Sequence, residues 1–242
     1  HFHFDHTGGL FRILDHLAAD PETNPIKVTV AEGIFQPRHL NTDVQAAAPL
    51  YAMLGTARWN LIERDRKQLE SGGAVFIEID RATEIVPGVW ATGPVTRTFN
   101  EENYPKFSVF KQDSGSSTVD TVPESQGLVI KAPEGPIVLS GCGHAGTVNL
   151  VNHVTRTIQS GPLLALMGGL HLYNASEDTL RWTGKKLSEV GVKNLMAGHC
   201  TGIMPMFNLQ EALGLGRSNA VIGAVGATFD LEQGINATPI AK

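Results

Sequence analysis

The opening residues His1-Phe2-His3-Phe4-Asp5-His6 place three imidazoles and a carboxylate within six positions, the densest set of metal-binding side chains in the sequence. Side chains two apart in extended backbone fall on one side, so His1 and His3 can converge on one ion. Asp5 and His6 are neighbours expected to point apart, which suits a second ion beside the first. Neutral imidazole with carboxylate favours zinc, with manganese or iron as alternatives; carboxylates alone would have pointed to magnesium or calcium. Thr7-Gly8-Gly9 offers a hydroxyl cap and two flexible residues before an apolar helical pattern, so the ligands are expected at a strand-to-helix turn. The interleaved Phe2 and Phe4 and the continuation through Leu10, Ile13, Leu14 and Leu17 set the cluster apart from an expression tag or a solvated tract.

Three more histidines share one local pattern. The run Ile137-Val138-Leu139-Ser140 leads through glycines to His144, Leu163 to Met167 leads to Gly168-Gly169-Leu170-His171, and Val192 to Met196 leads to Ala197-Gly198-His199. A histidine leaving the C-terminal end of a buried strand among glycines is placed as active-site residues are in α/β folds. His144 is read as a metal ligand on this ground. His16 and His153 fall inside predicted helices and His39 has no second ligand type beside it, so these three are read as structural. Cys142 and Cys200 adjoin the histidine turns and are read as small buried residues.

The elements that must carry these turns follow from periodicity. An amphipathic helix is expected over 7–18, a loop over Asp20 to Pro25, and an alternating strand over Ile26 to Val30. Residues 33–72 lack a clean period and are read as a helical cap insertion. Strands are expected over 74–79 and 86–93, with a turn at Pro87-Gly88. The polar stretch 98–123 reads as a long mobile loop serving as a lid, with Phe99, Tyr104 and Phe107 as substrate contacts or loop anchors. A hairpin follows, Gly127 to Lys131 and Pro136 to Ser140 about Ala132-Pro133-Glu134-Gly135, and helices are expected from Thr147, Ser176 and Pro205. This rhythm is that of an α/β fold.

Composition narrows the class. The 242 residues are 42% hydrophobic and 18% charged, ordinary for a soluble globular chain, and contain no apolar run approaching a membrane span. A net charge of −5 argues against a nucleic-acid channel, and a small-molecule substrate is the expected partner. Two cysteines define no disulfide framework, no signal peptide is visible, and a cytoplasmic location is expected.

The stretch HFHFDHTGGL carries every fixed letter of the HxHxDH motif of the metallo-β-lactamase superfamily. Together with SGCGHAGTVN, GGLHL and HCTG, it resembles the branch that includes the archaeal dihydropterin–ribofuranosyl-aminobenzene phosphate synthase group. The resemblance implies a four-layer αββα sandwich forming one domain over 1–242, with its N-terminal strands expected upstream of this sequence. It would assign His1, His3 and His144 to one metal ion, and Asp5, His6 and His199 to the other. In one respect the chain departs from the wider superfamily, which bridges its metals with an aspartate from a Gly-Asp pair. Gly169-Leu170-His171 stands at that place in chain order. His171 then replaces the bridge, ligates one ion or donates a hydrogen bond to substrate.

A dinuclear site lowers the pKa of bound water to roughly 7 and polarises the bond it attacks. The expected activity is therefore metal-dependent hydrolysis of an ester, lactone, amide or phosphoester, with Asp5 and His171 as candidate catalytic residues. The alternatives are a synthase or transferase acting on a phosphoribosyl substrate, and a non-catalytic metal-binding sensor on the same fold. The sequence lacks a P-loop, although Gly141, Gly143 and Ala145 near a helix start could bind phosphate.

Overall fold

The computed structural model describes residues 1–17 and 25–238, so most of the loop expected over Asp20 to Pro25 lies outside the described residues. The first elements are α1 (Phe4–Thr7), α2 (Leu10–Leu17), β1 (Ile26–Ala31), β2 (His39–Leu40), α3 (Ala48–Leu54), α4 (Leu61–Arg64), α5 (Arg66–Ser71) and β3 (Ala74–Ile79). Next come β4 (Thr83–Val86), β5 (Val89–Ala91), β6 (Ser108–Lys111), β7 (Ser117–Val119), β8 (Gly127–Ile130), β9 (Ile137–Ser140), α6 (Thr147–Thr157) and β10 (Ala165–Gly169). The remainder are α7 (Glu177–Val190), β11 (Leu195–Gly198), α8 (Ile203–Leu213), β12 (Ala220–Ile222), β13 (Thr228–Asp230) and β14 (Gly234–Asn236). They fall into two compact units, one made of His1–Asp80 and Tyr104–Glu124, the other of Arg81–Asn103 and the chain from Ser125 onward.

In the first unit β1 and β3 pair in parallel from Ile26↔Ala74 to Ala31↔Ile79, and β2, β6 and β7 form an antiparallel sheet. Phe2, Leu14, Val30, Ile34, Leu40, Trp59, Ile62 and Leu69 make its core. The helix expected over 7–18 is present as α2 over Leu10–Leu17, preceded by the separate single turn α1 over Phe4–Thr7. Thr7 does not cap α2: its hydroxyl donates to the carbonyls of Phe2 and His3, the back-bonding to which short hydroxyl side chains are prone. The 33–72 region is helical in short pieces. Asn60 opens α4 by accepting a hydrogen bond from the Glu63 N–H, and α3 stops at Gly55, whose φ of 64° suits glycine.

The polar stretch 98–123 is not one mobile loop. It contains the β6–β7 hairpin, closed by the Ser116 carbonyl accepting from the Gln112 N–H at 2.9 Å. The hairpin tip is exposed, but Asn103, Ser108 and Asp120 are buried and hydrogen-bonded. The Trp59 indole N–H donates to Ser108 Oγ at 3.2 Å, and Ser108 Oγ donates to Asp120 Oδ2 at 2.8 Å, all three residues being buried. Phe107 packs on Trp59 at 5.7 Å between centroids, Tyr104 faces the Lys106 ammonium, and Phe99 packs on Trp182 at 5.6 Å. Phe107 and Phe99 therefore have anchoring contacts within their own unit.

The second unit is built on a seven-stranded sheet in the order β12-β11-β10-β9-β8-β5-β4. The strand expected over 86–93 is the turn and return arm of the β4–β5 hairpin, with Gly88 at φ 80°. Strands β9 to β12 run parallel, and β8 joins β9 as the expected hairpin, with Gly127 opposite Ser140. Val129, Val138, Leu166 and Leu195 from the strands pack with Leu150, Val154, Leu180, Leu187 and Leu209 from α6, α7 and α8. Each fully buried leucine contributes roughly 2 kcal/mol. Ser176 caps α7 by accepting from the Thr179 N–H, Glu177 and Asp178 favour its positive end, and Gly191 ends it in the left-handed region. A Cβ on Gly184 would lie 2.5 Å from that of Ala212, so its absence sets how closely α7 approaches α8. Among the described residues no helix is long and apolar enough to cross a membrane.

Candidate metal centre

In the first unit the N-terminal imidazoles gather. The His1 ring centroid lies 4.5 Å from that of His3 and 4.4 Å from that of His6. The α1 turn causes this, because the His3 carbonyl accepts from the N–H groups of His6 and Thr7 and curls the chain back. The same turn overrides the expectation that Asp5 and His6 point apart: Asp5 Oδ2 and His6 Nε2 are 3.5 Å apart. A helical turn separates adjacent side chains by about 100°, whereas a strand places them on opposite faces.

The buried layer beneath sets His3. Its ring lies 4.8 Å from the Trp59 ring and 4.7 Å from Phe2, and Phe2 meets Trp59 edge-on at 4.9 Å. Under Phe2 lies the fully buried Arg38, its guanidinium carbon 4.9 Å from that ring and 4.8 Å from Phe110. Arg38 donates through Nη1 to the carbonyls of Gly33 and Gln36, and through Nη2 to the Glu124 carboxylate; its Nε stands 3.5 Å from Asp120 Oδ2. Burial pushes the Glu124 carboxyl up, and the Arg38 charge opposes that shift.

In the second unit, β9, β10 and β11 are adjacent and parallel, with Ser140 beside Gly168 and Gly169 beside Gly198. His144, His171 and His199 therefore leave neighbouring strands at the same end. His171 and His199 have φ of 49° and 53°, a left-handed conformation that costs a non-glycine residue about 1–3 kcal/mol and concentrates at functional sites. The His144 ring is fully buried, and its Nδ1 lies 2.5 Å from the Asn103 carbonyl. A carbonyl only accepts, so Nδ1 carries the proton and Nε2 presents the lone pair. The His171 ring stands 4.4 Å from that of His144, and its Nδ1 is buried with no hydrogen-bond partner. One donor atom from each of Cys142, His144 and His171 lies within 4.8 Å of the others.

The stretch that holds Asn103 is pinned to α6. Asn149 Oδ1 accepts from the N–H groups of Thr98 and Phe99 at 2.8 Å each, and its Nδ2 donates to the carbonyls of Phe99 and Ala145. Glu101 accepts from the N–H groups of Val148 and Asn149 in the first turn of α6, and the Asn103 amide donates to the Leu170 carbonyl. Burial pushes the Glu101 carboxyl up to about 7, with those backbone donors opposing. Sequence reasoning missed Glu101, Asn103 and Asn149. The only signal was the polar run Asn100-Glu101-Glu102-Asn103, and nothing in it points to a histidine 41 residues away.

Cys142 is buried, and Cys200 Sγ lies 3.4 Å from its Sγ. The hydrogen bond with Cys142 draws the Cys200 thiol down to about 5; burial opposes this and His171 assists. Beside His171 a cleft of about 580 Å³ is lined by Asn100, Asn103, Asn174, Thr179 and Trp182 together with Glu101, Glu102 and Asp178, without lysine or arginine. The three histidines read as structural take other roles. His153 is buried in α6 with its ring nitrogens near Thr92 and Thr96, His16 is exposed on α2, and His39 pairs through its backbone with Val109.

No protein-family model matches the chain. In sequence it is 29% identical over 204 residues to the 7,8-dihydropterin-6-methyl-4-(β-D-ribofuranosyl)-aminobenzene-5'-phosphate synthase of Methanocaldococcus jannaschii, an alignment covering 84% of this chain and 64% of that one. The chain thus spans less than two thirds of the length of the curated relative it matches. A solved metal-dependent hydrolase of the β-lactamase superfamily superposes with a TM-score of 0.67 at 21% identity, covering 92% of this chain and 73% of that one. A metallo-β-lactamase from Pseudomonas aeruginosa in its mono-zinc form aligns with a TM-score of 0.26 at 13% identity, over 62% of this chain and 51% of that one, too loosely to bear on the fold. The mixed α/β architecture, the histidine-bearing strand ends and the close superposition together give this chain the metallo-β-lactamase fold, with sequence similarity to the dihydropterin synthase branch.

Proposed function

We propose that this chain acts as a metal-dependent hydrolase on an ester, lactone, amide or phosphoester. In this reading His1, His3 and His144 hold one divalent ion and Asp5, His6 and His199 a second, following the motif resemblance. The observation that carries it is the exit of His144, His171 and His199 from adjoining parallel strands, with His144 Nδ1 bonded to the Asn103 carbonyl. A histidine whose second nitrogen bonds a carbonyl is the usual state of a metal-ligating imidazole, and the donors suit zinc, with manganese or iron as alternatives.

When bound, such ions supply a water acidified to about pKa 7 and polarise the bond under attack. The chain's own contribution is orientation. The Asn103 carbonyl keeps the His144 lone pair on Nε2, and Trp59 and Phe2 hold the His3 ring. The exposed Asp5 carboxylate is suited to accept a proton or orient the attacking water. His171 takes part through its partnerless Nδ1. The cleft beside it, acidic and amide-rich around Trp182, favours a neutral or cationic portion of a substrate over an anionic one.

A second reading, bond formation at a phosphoribosyl centre with release of pyrophosphate, draws support from the sequence similarity to a synthase. Elemental analysis of protein made without added ions, with a panel of ester, lactone, phosphodiester, β-lactam and phosphoribosyl pyrophosphate substrates, tests both. Metal-dependent turnover of a member of the first four classes supports hydrolysis, and pyrophosphate release that requires an added acceptor nucleophile, which becomes bonded to the phosphoribosyl carbon, supports the synthase. Metal without turnover on any substrate supports a sensor, and protein that binds no metal overturns all three readings.

A further inference from the structure

We propose that Cys142 and Cys200 form a reversible disulfide, making the strand ends that carry the histidines a site of oxidative modification. The two residues follow β9 and β11, which are separated by β10, so the strand axes alone stand roughly 10 Å apart. The turns after them bring the sulfurs back to 3.4 Å across the bare end of β10. Gly169 permits this meeting. A Cβ there would lie 2.9 Å from Cys200 Sγ and 2.3 Å from the Gly141 carbonyl.

Closure to a disulfide needs an approach of roughly 1.4 Å. Backbone able to supply it surrounds both residues: Gly143 at φ 69° follows Cys142, and Gly202 at φ 85° follows the short turn that holds Cys200. Cys142 is buried and Cys200 partly exposed, so an oxidant reaches Cys200 first.

With hydrogen peroxide as oxidant, Cys200 sulfur attacks one peroxide oxygen and breaks the O–O bond, giving a sulfenic acid and water. Cys142 sulfur then attacks the sulfenyl sulfur and expels the hydroxyl group as a second water. Two thiols and one peroxide thus yield one disulfide and two waters. The two sulfurs are oxidised, and the peroxide is reduced. A dithiol reductant restores the pair by exchange.

The test uses the full chain as purified, treated with graded hydrogen peroxide, alkylated, and mapped by mass spectrometry without reduction. The expected result is loss of both thiols in step, one peptide linking residues 142 and 200 within a monomer, and full recovery with dithiothreitol. Cys142→Ser is expected instead to leave Cys200 as a sulfenic acid trappable by dimedone. Independent loss of the two thiols, oxidation of Cys200 beyond the sulfenic acid at the same dose in wild type and Cys142→Ser, or bridges only between chains would overturn the proposal. Because the readout is thiol chemistry, neither result depends on whether the chain binds metal or turns over a substrate.

Discussion

The imidazole Nδ1 of His144 meets the carbonyl oxygen of Asn103 at 2.5 Å, and the Asn103 side-chain amide in turn donates to the Leu170 carbonyl at 3.1 Å. One residue therefore sets the tautomer of the buried histidine and ties it to the end of β10. Removing the amide frees the backbone that presents this carbonyl. Asn103→Ala is expected to weaken zinc binding by about tenfold to a hundredfold, the usual cost of losing a partner behind a ligand. Competition with a chromogenic chelator measures it, and an unchanged affinity would show that Asn103 does not position His144.

The two segments proposed to carry metal ligands are expected to fail in the same way. His3→Ala and His144→Ala should each lower metal content and activity together, read by elemental analysis beside the turnover assay that the substrate panel identifies. Activity retained by both variants would remove metal-assisted chemistry from consideration.

Glu101 predicts a pH dependence of stability. Its carboxyl is held at about 7 in the folded chain against an ordinary value of 4.5, because burial disfavours the charge. The folded state then holds the proton more tightly than the unfolded state, so stability is greatest below about 4.5 and declines as pH rises to about 7. The total change is about 3 kcal/mol, since each tenfold difference in proton affinity between the two states is worth about 1.4 kcal/mol. Glu101→Gln, which cannot titrate, is expected to flatten this component when urea unfolding is followed from pH 5 to 8. Parallel curves for the two proteins would contradict it.

Arg38 carries the buried charges of the first unit. Arg38→Met would leave Asp120 and Glu124 buried without the guanidinium that now lies beside both. Breaking a buried pair from one side costs about 3–5 kcal/mol, and chemical denaturation should show a loss of that order. A change of less than about 1 kcal/mol would place the network among surface-like ion pairs.

The local features of the fold were legible in the sequence. Turn residues and periodicity located the β8–β9 hairpin, and Ser176 with the two acids after it marked the start of α7. Glycines before His144, His171 and His199 marked three strand ends, because φ and close-approach constraints act within a few residues. The polar stretch 98–123 misled for a physical reason. Asn103, Ser108 and Asp120 are polar in type but buried in place, each satisfied by a hydrogen bond to a partner distant or inward. Composition alone assigns such residues to solvent.

Taken alone, the sequence determined which side chains can bind a cation and that they sit at turns, since residue type and local backbone preference are properties of short segments. Tertiary structure decided that β9, β10 and β11 lie side by side and that Asn103 orients His144. Those relationships arise from strand pairing and from the burial of polar groups across tens of residues. Their energies exist only once water has been excluded from both partners.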